Sequence, residues 1–177
     1  MFRKSINFFL YDVRKEEYKA AIKFLRNRNK ILDVGCGTGT FMEAIKVKNS
    51  TVSIEGIDIN PENIEFAKAK GLKVKTGSAL KLPYETSSFD GIHSSHLMQV
   101  FSPEDAEIFL RECSRVLKDN GVIVITTLNW FPRFFRHPEN VRPYPPDVFE
   151  RYSYKQNDST SPMYASFPNI QKRAIRF

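Results

Sequence analysis

Three glycines stand two residues apart in the segment ILDVGCGTGTF, which runs from Ile31 to Phe41. The apolar residues before them are typical of a short strand that is covered on both faces. Glycine lacks a Cβ and adopts positive φ freely, so a ligand can lie against the main chain and accept hydrogen bonds from its amides. A tight turn needs one glycine, whereas Gly35, Gly37 and Gly39 supply three within five positions. The spacing therefore predicts a ligand-binding loop.

The glycines do not match the dinucleotide pattern G-x-G-x-x-G, whose third glycine brings the following helix close to the strand. Thr40 occupies the sixth position, and the third glycine comes one residue early. Asp58 follows Gly39 by nineteen residues, at the end of the next apolar run. There a carboxylate can accept a pair of ribose hydroxyls. These residues predict a ligand with a ribose and no pyrophosphate; the alternative for Asp58 is an exposed turn acid before a helix.

Helical and strand-like periodicities alternate between residues 13 and 127, which predicts βαβ units and a doubly wound, mostly parallel α/β sheet. Ligands of such sheets lie beyond the carboxyl ends of the strands, where the glycine loop stands. We expect strands at Lys30–Val34, Thr51–Ile57, Leu72–Thr76, Phe89–Ser94 and, after a KDNG turn, in VIVITT; we expect helices at Val13–Arg28, Thr40–Val47, from the cap Asn60 to Lys70, and from the cap Ser102 to Leu117. The proline-rich residues after Thr127 predict an irregular C-terminal part, with a short helix at Asp147–Tyr154 and a final hairpin turning at Pro168.

Composition indicates a single domain of 177 residues, 41% hydrophobic and 27% charged, without an apolar run that could span a bilayer. We therefore expect a cytoplasmic protein. Cys36 and Cys113 have no ligand-like spacing to the three histidines, which predicts free thiols and no metal. The net charge of +7 divides into +6 for residues 1–30, −3 for 31–128 and +4 for 129–177. Basic ends attract nucleic acid, anionic membrane or an acidic partner, or are simply a solvated surface.

Four segments, ILDVGCGTGTF, GIDINPENIEFAKAKG, GSALKLPYETSSFDGIHSS and FLRECSRVLKDNGVIVITT, resemble the motifs of class I S-adenosylmethionine-dependent methyltransferases, in order and at their usual intervals. The resemblance is to the broad small-molecule methyltransferase-domain type. It implies a Rossmann-like fold, with residues 1–29 as a helical lid, 30–127 as the cofactor-binding core and 128–177 on the substrate side. In the implied S-adenosylmethionine site, the methionine part of the cofactor lies over Gly35, Gly37 and Gly39, with Asp33 and Cys36 beside it and Ser94 and Ser95 at its end. The ribose lies on Asp58. The adenine lies between Ile59 on one side and Ser78 with Ala79 on the other. Members often have an acid where this chain has Ser78.

Methyl transfer from a sulfonium is an in-line displacement, for which the protein mainly supplies proximity and alignment. A base helps when the accepting atom carries a proton, and His96, just past the fourth strand, is the first candidate. The alternative for His96 is a histidine in the core or bonded at a helix start, and His93 within the strand is expected to be structural. Substrate-side candidates are Asn129 and Trp130 after the fifth strand, His137 in the proline-rich part, and Tyr11 with Tyr18 near the N-terminus.

The sequence favours a small-molecule methyl acceptor. Enzymes that methylate base amino groups usually carry an Asn-Pro-Pro-aromatic motif after strand four, and those that methylate pyrimidine carbon use a Pro-Cys pair there, whereas this chain has Ser94, Ser95 and His96. Two alternatives stay open. The basic ends are compatible with methylation of RNA or protein, and the irregular C-terminal part is compatible with a non-catalytic cofactor-binding subunit that regulates a partner.

Overall fold

The computed structural model describes residues 17–127 and 137–144. Within these residues the chain forms one sheet of five parallel strands in the order β3-β2-β1-β4-β5. The strands are β1 (Lys30–Val34), β2 (Ser53–Asp58), β3 (Val74–Thr76), β4 (Phe89–Ser95) and β5 (Leu117–Thr126). The helices are α1, which is described over 17–25, α2 (Thr40–Lys48), α3 (Pro61–Ala69) and α4 (Pro103–Val116), with a short 3₁₀ turn at Met98–Val100. The predicted doubly wound parallel sheet is confirmed.

The strand order changes direction at β1, which pairs with β2 on one side and with β4 on the other. A crevice opens beyond the carboxyl ends of the strands at such a point, because the following helices cover opposite faces of the sheet. The register sets Asp33 of β1 level with Gly56 of β2 and with His93 of β4. Two polar side chains of neighbouring strands therefore lie side by side just below the crevice.

Each face of the sheet is covered by its own hydrophobic cluster. One cluster joins Leu32 and Ile92 to the apolar face of α4, and it includes the ring of Tyr144 from the 137–144 segment. The other joins Ile31 to α1, α2 and α3. Alternate residues of a strand point to opposite faces, so Asp33, like Ile31, belongs to the face that carries α1 and α2.

Two of the helices begin, as predicted, at an N-cap residue that is followed by a proline. The Asn60 side chain accepts a hydrogen bond from the Glu62 amide at 2.8 Å, and Ser102 Oγ accepts one from the Asp105 amide at 3.1 Å. The residue after each cap is a proline, whose missing N–H costs nothing in the first turn. No helix in residues 17–127 or 137–144 has the length and apolarity that crossing a membrane requires.

Two predicted strand starts are wrong. The third strand begins at Val74 and not at Leu72, because the Leu72 amide donates to the Ala67 carbonyl and completes the cap of α3, with Gly71 at φ +71°. The second strand begins at Ser53 and not at Thr51, because Thr51 donates to the Asn49 side chain in a turn.

The KDNG segment is not a turn that separates α4 from the last strand. Leu117 of β5 already pairs with Phe89 of β4, and Val122 pairs with Gly91. Four residues of β5 therefore lie between two pairs that are only two residues apart on β4, and they bulge out of the sheet. Asn120 has φ +59°, which lets the chain loop out and return. The predicted helix at Asp147–Tyr154 and the final hairpin lie outside the described residues.

Candidate active site

A cavity of about 170 Å³ opens beyond the carboxyl ends of β1 and β4. The glycine loop forms one wall, β4 and the residues after it form another, and α1 contributes Tyr18. Its lining is Tyr18, Asp33, Gly35, Cys36, Gly37, Thr38, Thr40, Phe41, His93, Ser95 and His96. The structure therefore brings the glycine loop, one buried acid and two histidines to one place.

The three loop glycines all have positive φ, but their surroundings differ. A Cβ on Gly35 would lie 3.1 Å from Leu97 Cδ2, and one on Gly39 would overlap Leu72 Cδ1. These two glycines let neighbouring side chains pack against the loop. A Cβ on Gly37 would meet nothing within 4 Å, so this part of the main chain faces open space. Gly37 is the glycine against which a ligand can lie.

Asp58 ties the glycine loop to the end of β2. Its Oδ2 accepts from the Gly37 amide at 2.8 Å, and its Oδ1 accepts from the Asn60 amide at 2.9 Å. The Ile57 carbonyl accepts from the amides of Gly35 and Cys36, at 2.8 and 3.0 Å. Each carboxylate oxygen of Asp58 keeps further accepting capacity after one backbone bond. The same side chain can therefore shape the loop and accept ribose hydroxyls.

Asp33 is the buried acid of the cavity. Its Oδ1 lies 2.7 Å from His93 Nδ1, and the His93 ring stacks on Phe41 with the ring centroids 3.5 Å apart. The other carboxylate oxygen, Oδ2, is buried without a hydrogen-bond partner among the described residues. Buried polar atoms are nearly always paired, so this oxygen is suited to a donor on a ligand, above all a cationic one. The ammonium group of a methionine moiety is such a donor.

His96 also lines the cavity, in an unusual backbone conformation. Its φ is +56°, its amide donates to the Thr126 carbonyl at 2.8 Å, and its Nε2 lies 3.0 Å from Glu17 Oε2. Sequence reasoning missed Glu17, because a single acid in a helical pattern carries no signal of its contact across 79 positions. The base role of His96 stays a prediction.

The other predicted cofactor residues are spread along the edge of the sheet. Ser95 lines the cavity, whereas Ser94 shares the Ile92 face of β4 and is buried with its hydroxyl unpaired among the described residues. Ile59 is 74% exposed, just after Asp58. Ser78 Oγ accepts from the Leu80 amide at 3.1 Å, and Ala79 packs against the α4 cluster.

The predicted substrate-side residues divide into three groups. Tyr18 lines the cavity and packs edge-on to His93. His137 is exposed, 3.4 Å from Glu139, and is not part of the cavity lining. Tyr11, Asn129 and Trp130 lie outside the described residues.

Both cysteines are free and buried. Burial, reinforced by the negative charges of Asp33 and Asp58, raises the pKa of the Cys36 thiol well above its ordinary value. Burial likewise raises the pKa of the Cys113 thiol. A thiol of this kind stays protonated and is a poor nucleophile. Cys36 therefore contributes shape to the cavity and no nucleophile.

An ion pair on α4 holds the loop between β3 and β4. Arg115 binds Glu112 through two nitrogens, both at 2.7 Å, and also donates to the carbonyls of Leu82 and Tyr84. Glu112 accepts from the Leu82 amide at 2.7 Å. The Arg115 guanidinium holds the pKa of the Glu112 carboxyl below its ordinary value. This clamp fixes the loop that carries Ser78.

A family model described as a methyltransferase domain matches residues 32–125, which is more than half of the chain. The chain belongs to the methyltransferase domain family. Its parallel sheet is that of the class I, S-adenosylmethionine-dependent members. S-adenosylmethionine is the cofactor of the family, and the residues of this domain fit it: Gly37 faces open space, Asp58 retains accepting capacity, and Asp33 offers a buried, unpaired carboxylate oxygen.

Known proteins similar to this methyltransferase domain include two whose names refer to ubiquinone and to demethylmenaquinone. A ubiquinone biosynthesis O-methyltransferase of Pelagibacter ubique is 35% identical over 109 residues, covering 56% of this chain and 42% of the relative. A demethylmenaquinone methyltransferase of Staphylococcus aureus is 35% identical over 106 residues, covering 56% and 43%. A solved S-adenosylmethionine-dependent methyltransferase of Archaeoglobus fulgidus superposes with a TM-score of 0.70 at 25% identity, covering 81% of this chain and 71% of its own. The domain thus spans less than half the length of these two curated relatives.

Proposed function

We propose that the chain transfers the methyl group of S-adenosylmethionine to a small-molecule acceptor. The observation that carries this proposal is that α1 forms part of the cavity wall, where Tyr18 lines it. From α1, Tyr18 packs against Phe41 with the ring centroids 5.7 Å apart, and Glu17 contacts His96, which also lines the cavity. A cavity with a helix in its wall suits a small acceptor better than a duplex or a folded protein surface. The names of the two relatives, which refer to ubiquinone and to demethylmenaquinone, support the same substrate class.

The residues of the chain divide the work of binding and alignment. When bound, S-adenosylmethionine supplies an activated methyl group on a sulfonium whose sulfur is the leaving atom. Asp58 would hold the ribose, the loop at Gly37 the methionine part, and Asp33 Oδ2 the ammonium group. Ile59, Ser78 and Ala79 would border the adenine. Fixing two reactants in line contributes about 7 to 11 kcal/mol to such a reaction, so rigid elements on both sides of the cavity suffice for most of the rate.

The first experiment is a calorimetric titration with S-adenosylhomocysteine and with NAD, on the wild type and on Asp58→Ala. We expect the wild type to bind S-adenosylhomocysteine more tightly than NAD, and Asp58→Ala to lose most of that affinity. Tighter binding of NAD, or an Asp58→Ala variant with wild-type affinity, would contradict the proposal.

The second experiment incubates the protein with methyl-labelled S-adenosylmethionine and a cell extract, separated into metabolites, RNA and protein. We expect the label in the metabolite fraction. Label in RNA, with affinity falling steeply as salt rises, would favour nucleic acid as acceptor, because phosphate contacts release counterions. Tight cofactor binding without label in any fraction would favour a regulatory subunit.

A further inference from the structure

We infer that Glu17 and His96 form a proton-accepting pair, which makes the acceptor a molecule with an ionisable hydroxyl group. The inference rests on the proposed methyl transfer and names its substrate class. His96 is the catalytic residue of the pair, and Glu17 is the positioning residue. Four observations about the described residues carry it: the backbone of His96, its place beside the glycine loop, the Glu17 contact, and the burial of the competing histidine.

The backbone of His96 is held in a conformation that non-glycine residues rarely adopt. Its φ is +56°, and its amide is bound to the Thr126 carbonyl at the end of β5. A left-handed conformation at a histidine costs on the order of 1 kcal/mol or more and persists only where neighbouring structure imposes it. Such residues concentrate at functional sites, and here the conformation turns the imidazole into the cavity wall.

The residue after His96 fixes its distance from the glycine loop. Leu97 packs so closely on Gly35 that a Cβ there would lie 3.1 Å from the leucine side chain. The segment after β4 therefore lies directly on the loop that would hold the methionine part of the cofactor. The methyl group leaves from that part, so the imidazole is beside the place where the acceptor atom must arrive.

Glu17 determines which ring nitrogen of His96 is available. A carboxylate only accepts hydrogen bonds, so the 3.0 Å contact requires that Nε2 carries a proton. Neutral His96 then has an unprotonated Nδ1 that can accept a proton, and no described residue occupies that nitrogen. The Glu17 side chain is 12% exposed, so its charge is only weakly screened by water. It lies at ion-pair distance from the imidazolium that forms after proton transfer.

His93 is a poorer candidate for the same role. Its side chain is 2% exposed, its Nδ1 is bound to Asp33, and its ring is covered by Phe41. The His96 side chain is 29% exposed, which leaves room for an acceptor to reach it. Both histidines line the cavity, but His93 is bound to the Asp33 carboxylate, whereas His96 is the more exposed of the two.

The resulting step balances atoms and charge. The O–H bond of the acceptor breaks and its proton moves to His96 Nδ1, while the oxygen electron pair forms the new bond to the methyl carbon. The carbon–sulfur bond breaks with its electron pair on sulfur. The positive charge that was on sulfur is then on the imidazolium, next to Glu17. A hydroxyl needs this assistance because it is a weak nucleophile until it loses its proton, whereas a neutral amine attacks without a base.

The first test reads the ring nitrogens directly by nitrogen-15 NMR, at a pH at which the imidazoles are neutral. The chain has three histidines, and His96→Asn assigns the His96 signals by their disappearance. Asparagine tolerates left-handed backbone, so this variant keeps the loop while removing the imidazole. We expect protonated Nε2 and unprotonated Nδ1 in the wild type, and a changed Nε2 chemical shift in Glu17→Leu, whose side chain has no hydrogen-bond acceptor. A protonated Nδ1 in the wild type, or an unchanged Nε2 shift in Glu17→Leu, would overturn the pair.

The second test measures labelled methyl transfer from S-adenosylmethionine to a panel of phenols and catechols and to the matching anilines. We expect transfer to the hydroxyl compounds, and a kcat that falls about 10²- to 10⁴-fold in His96→Asn and less in Glu17→Gln. Glu139→Gln is the matched control, since Glu139 contacts the exposed His137 away from the cavity, and it should transfer at the wild-type rate.

The outcomes separate this inference from the proposed function. Transfer to anilines alone, or an unchanged kcat in His96→Asn, would overturn the proton-accepting pair while methyl transfer stands. A wild type that binds S-adenosylhomocysteine but transfers no label to the panel or to cell extract would refute methyl transfer and the pair together. Retained S-adenosylhomocysteine binding shows that each variant is folded.

Discussion

Gly37 and Gly39 stand in the same loop, both with positive φ, and the structure gives them different tasks. Alanine at either position adopts a left-handed conformation, which costs about 1–2 kcal/mol. The lower entropy of the unfolded alanine chain offsets about 0.4–1 kcal/mol of that cost. At Gly37 the added methyl group meets nothing, so we expect Gly37→Ala to lose only about 1 kcal/mol of folding stability.

Gly39→Ala carries an additional penalty, because its Cβ overlaps the buried Leu72 side chain. Overpacking of this kind costs about 1–3 kcal/mol, which brings the expected loss to about 2–4 kcal/mol. For a chain of this size each kcal/mol lowers Tm by about 2–4 °C. Urea and thermal unfolding of the unliganded variants measure the difference.

Binding of S-adenosylhomocysteine should reverse the order of the two variants. The methyl group of Gly37→Ala projects into the space where the ligand would lie, so we expect affinity to fall about tenfold or more, which is about 1.4 kcal/mol. At temperatures well below its Tm, Gly39→Ala should bind S-adenosylhomocysteine with an affinity closer to that of the wild type. Equal losses of stability in the two variants, or wild-type affinity in Gly37→Ala, would refute the assignment of separate tasks.

Three further perturbations test other parts of the site and its support. Asp58→Asn keeps the size of the side chain but sets an amide donor against a backbone donor. Because charge-assisted hydrogen bonds are worth about 1.5–3 kcal/mol, we expect calorimetry to show an affinity for S-adenosylhomocysteine that is about 10- to 100-fold lower. An unchanged affinity would contradict the ribose role. Arg115→Met removes the partner that lowers the pKa of Glu112. In the wild type, the pair adds folding stability at pH values above 4.5, the ordinary pKa of the carboxyl group, and this stability is lost as the pH falls through the lower pKa of the folded state. The variant should be less stable near pH 7 in urea titrations, and its stability should fall less between pH 5 and pH 3; equal slopes would contradict the clamp. Tyr144→Phe, which removes a hydroxyl that donates to the Phe101 and Ser102 carbonyls, should cost about 0.5–1.5 kcal/mol, whereas Tyr144→Ala should cost about 3–5 kcal/mol by emptying a buried site. Similar losses in the two variants would show that the ring does not anchor the 137–144 segment.

Local signals carried most of the architecture. The bounds of β1 are as predicted, and the two proline-preceding caps begin α3 and α4 where the sequence places them. The predicted starts of β2 and β3 are wrong because Thr51 and Leu72 have strand-like side chains, but their backbone amides donate hydrogen bonds within a turn and within a helix cap. The pattern of side chains along a sequence does not show which acceptor a backbone N–H group binds.

The sequence alone determined the fold class, the glycine loop and the acid at Asp58, because these depend on residue type and on spacing over a few tens of positions. Only the tertiary structure decided that Glu17 meets His96 across 79 positions, that Asp33 shares its carboxylate with His93, and that Gly37 alone of the three loop glycines faces open space. The Asp33–His93 contact arises because β1 and β4 are neighbours in the sheet, and the Glu17–His96 contact arises because α1 lies beside the end of β4. No local pattern encodes them, because which residues meet there depends on the strand order and register of the whole sheet.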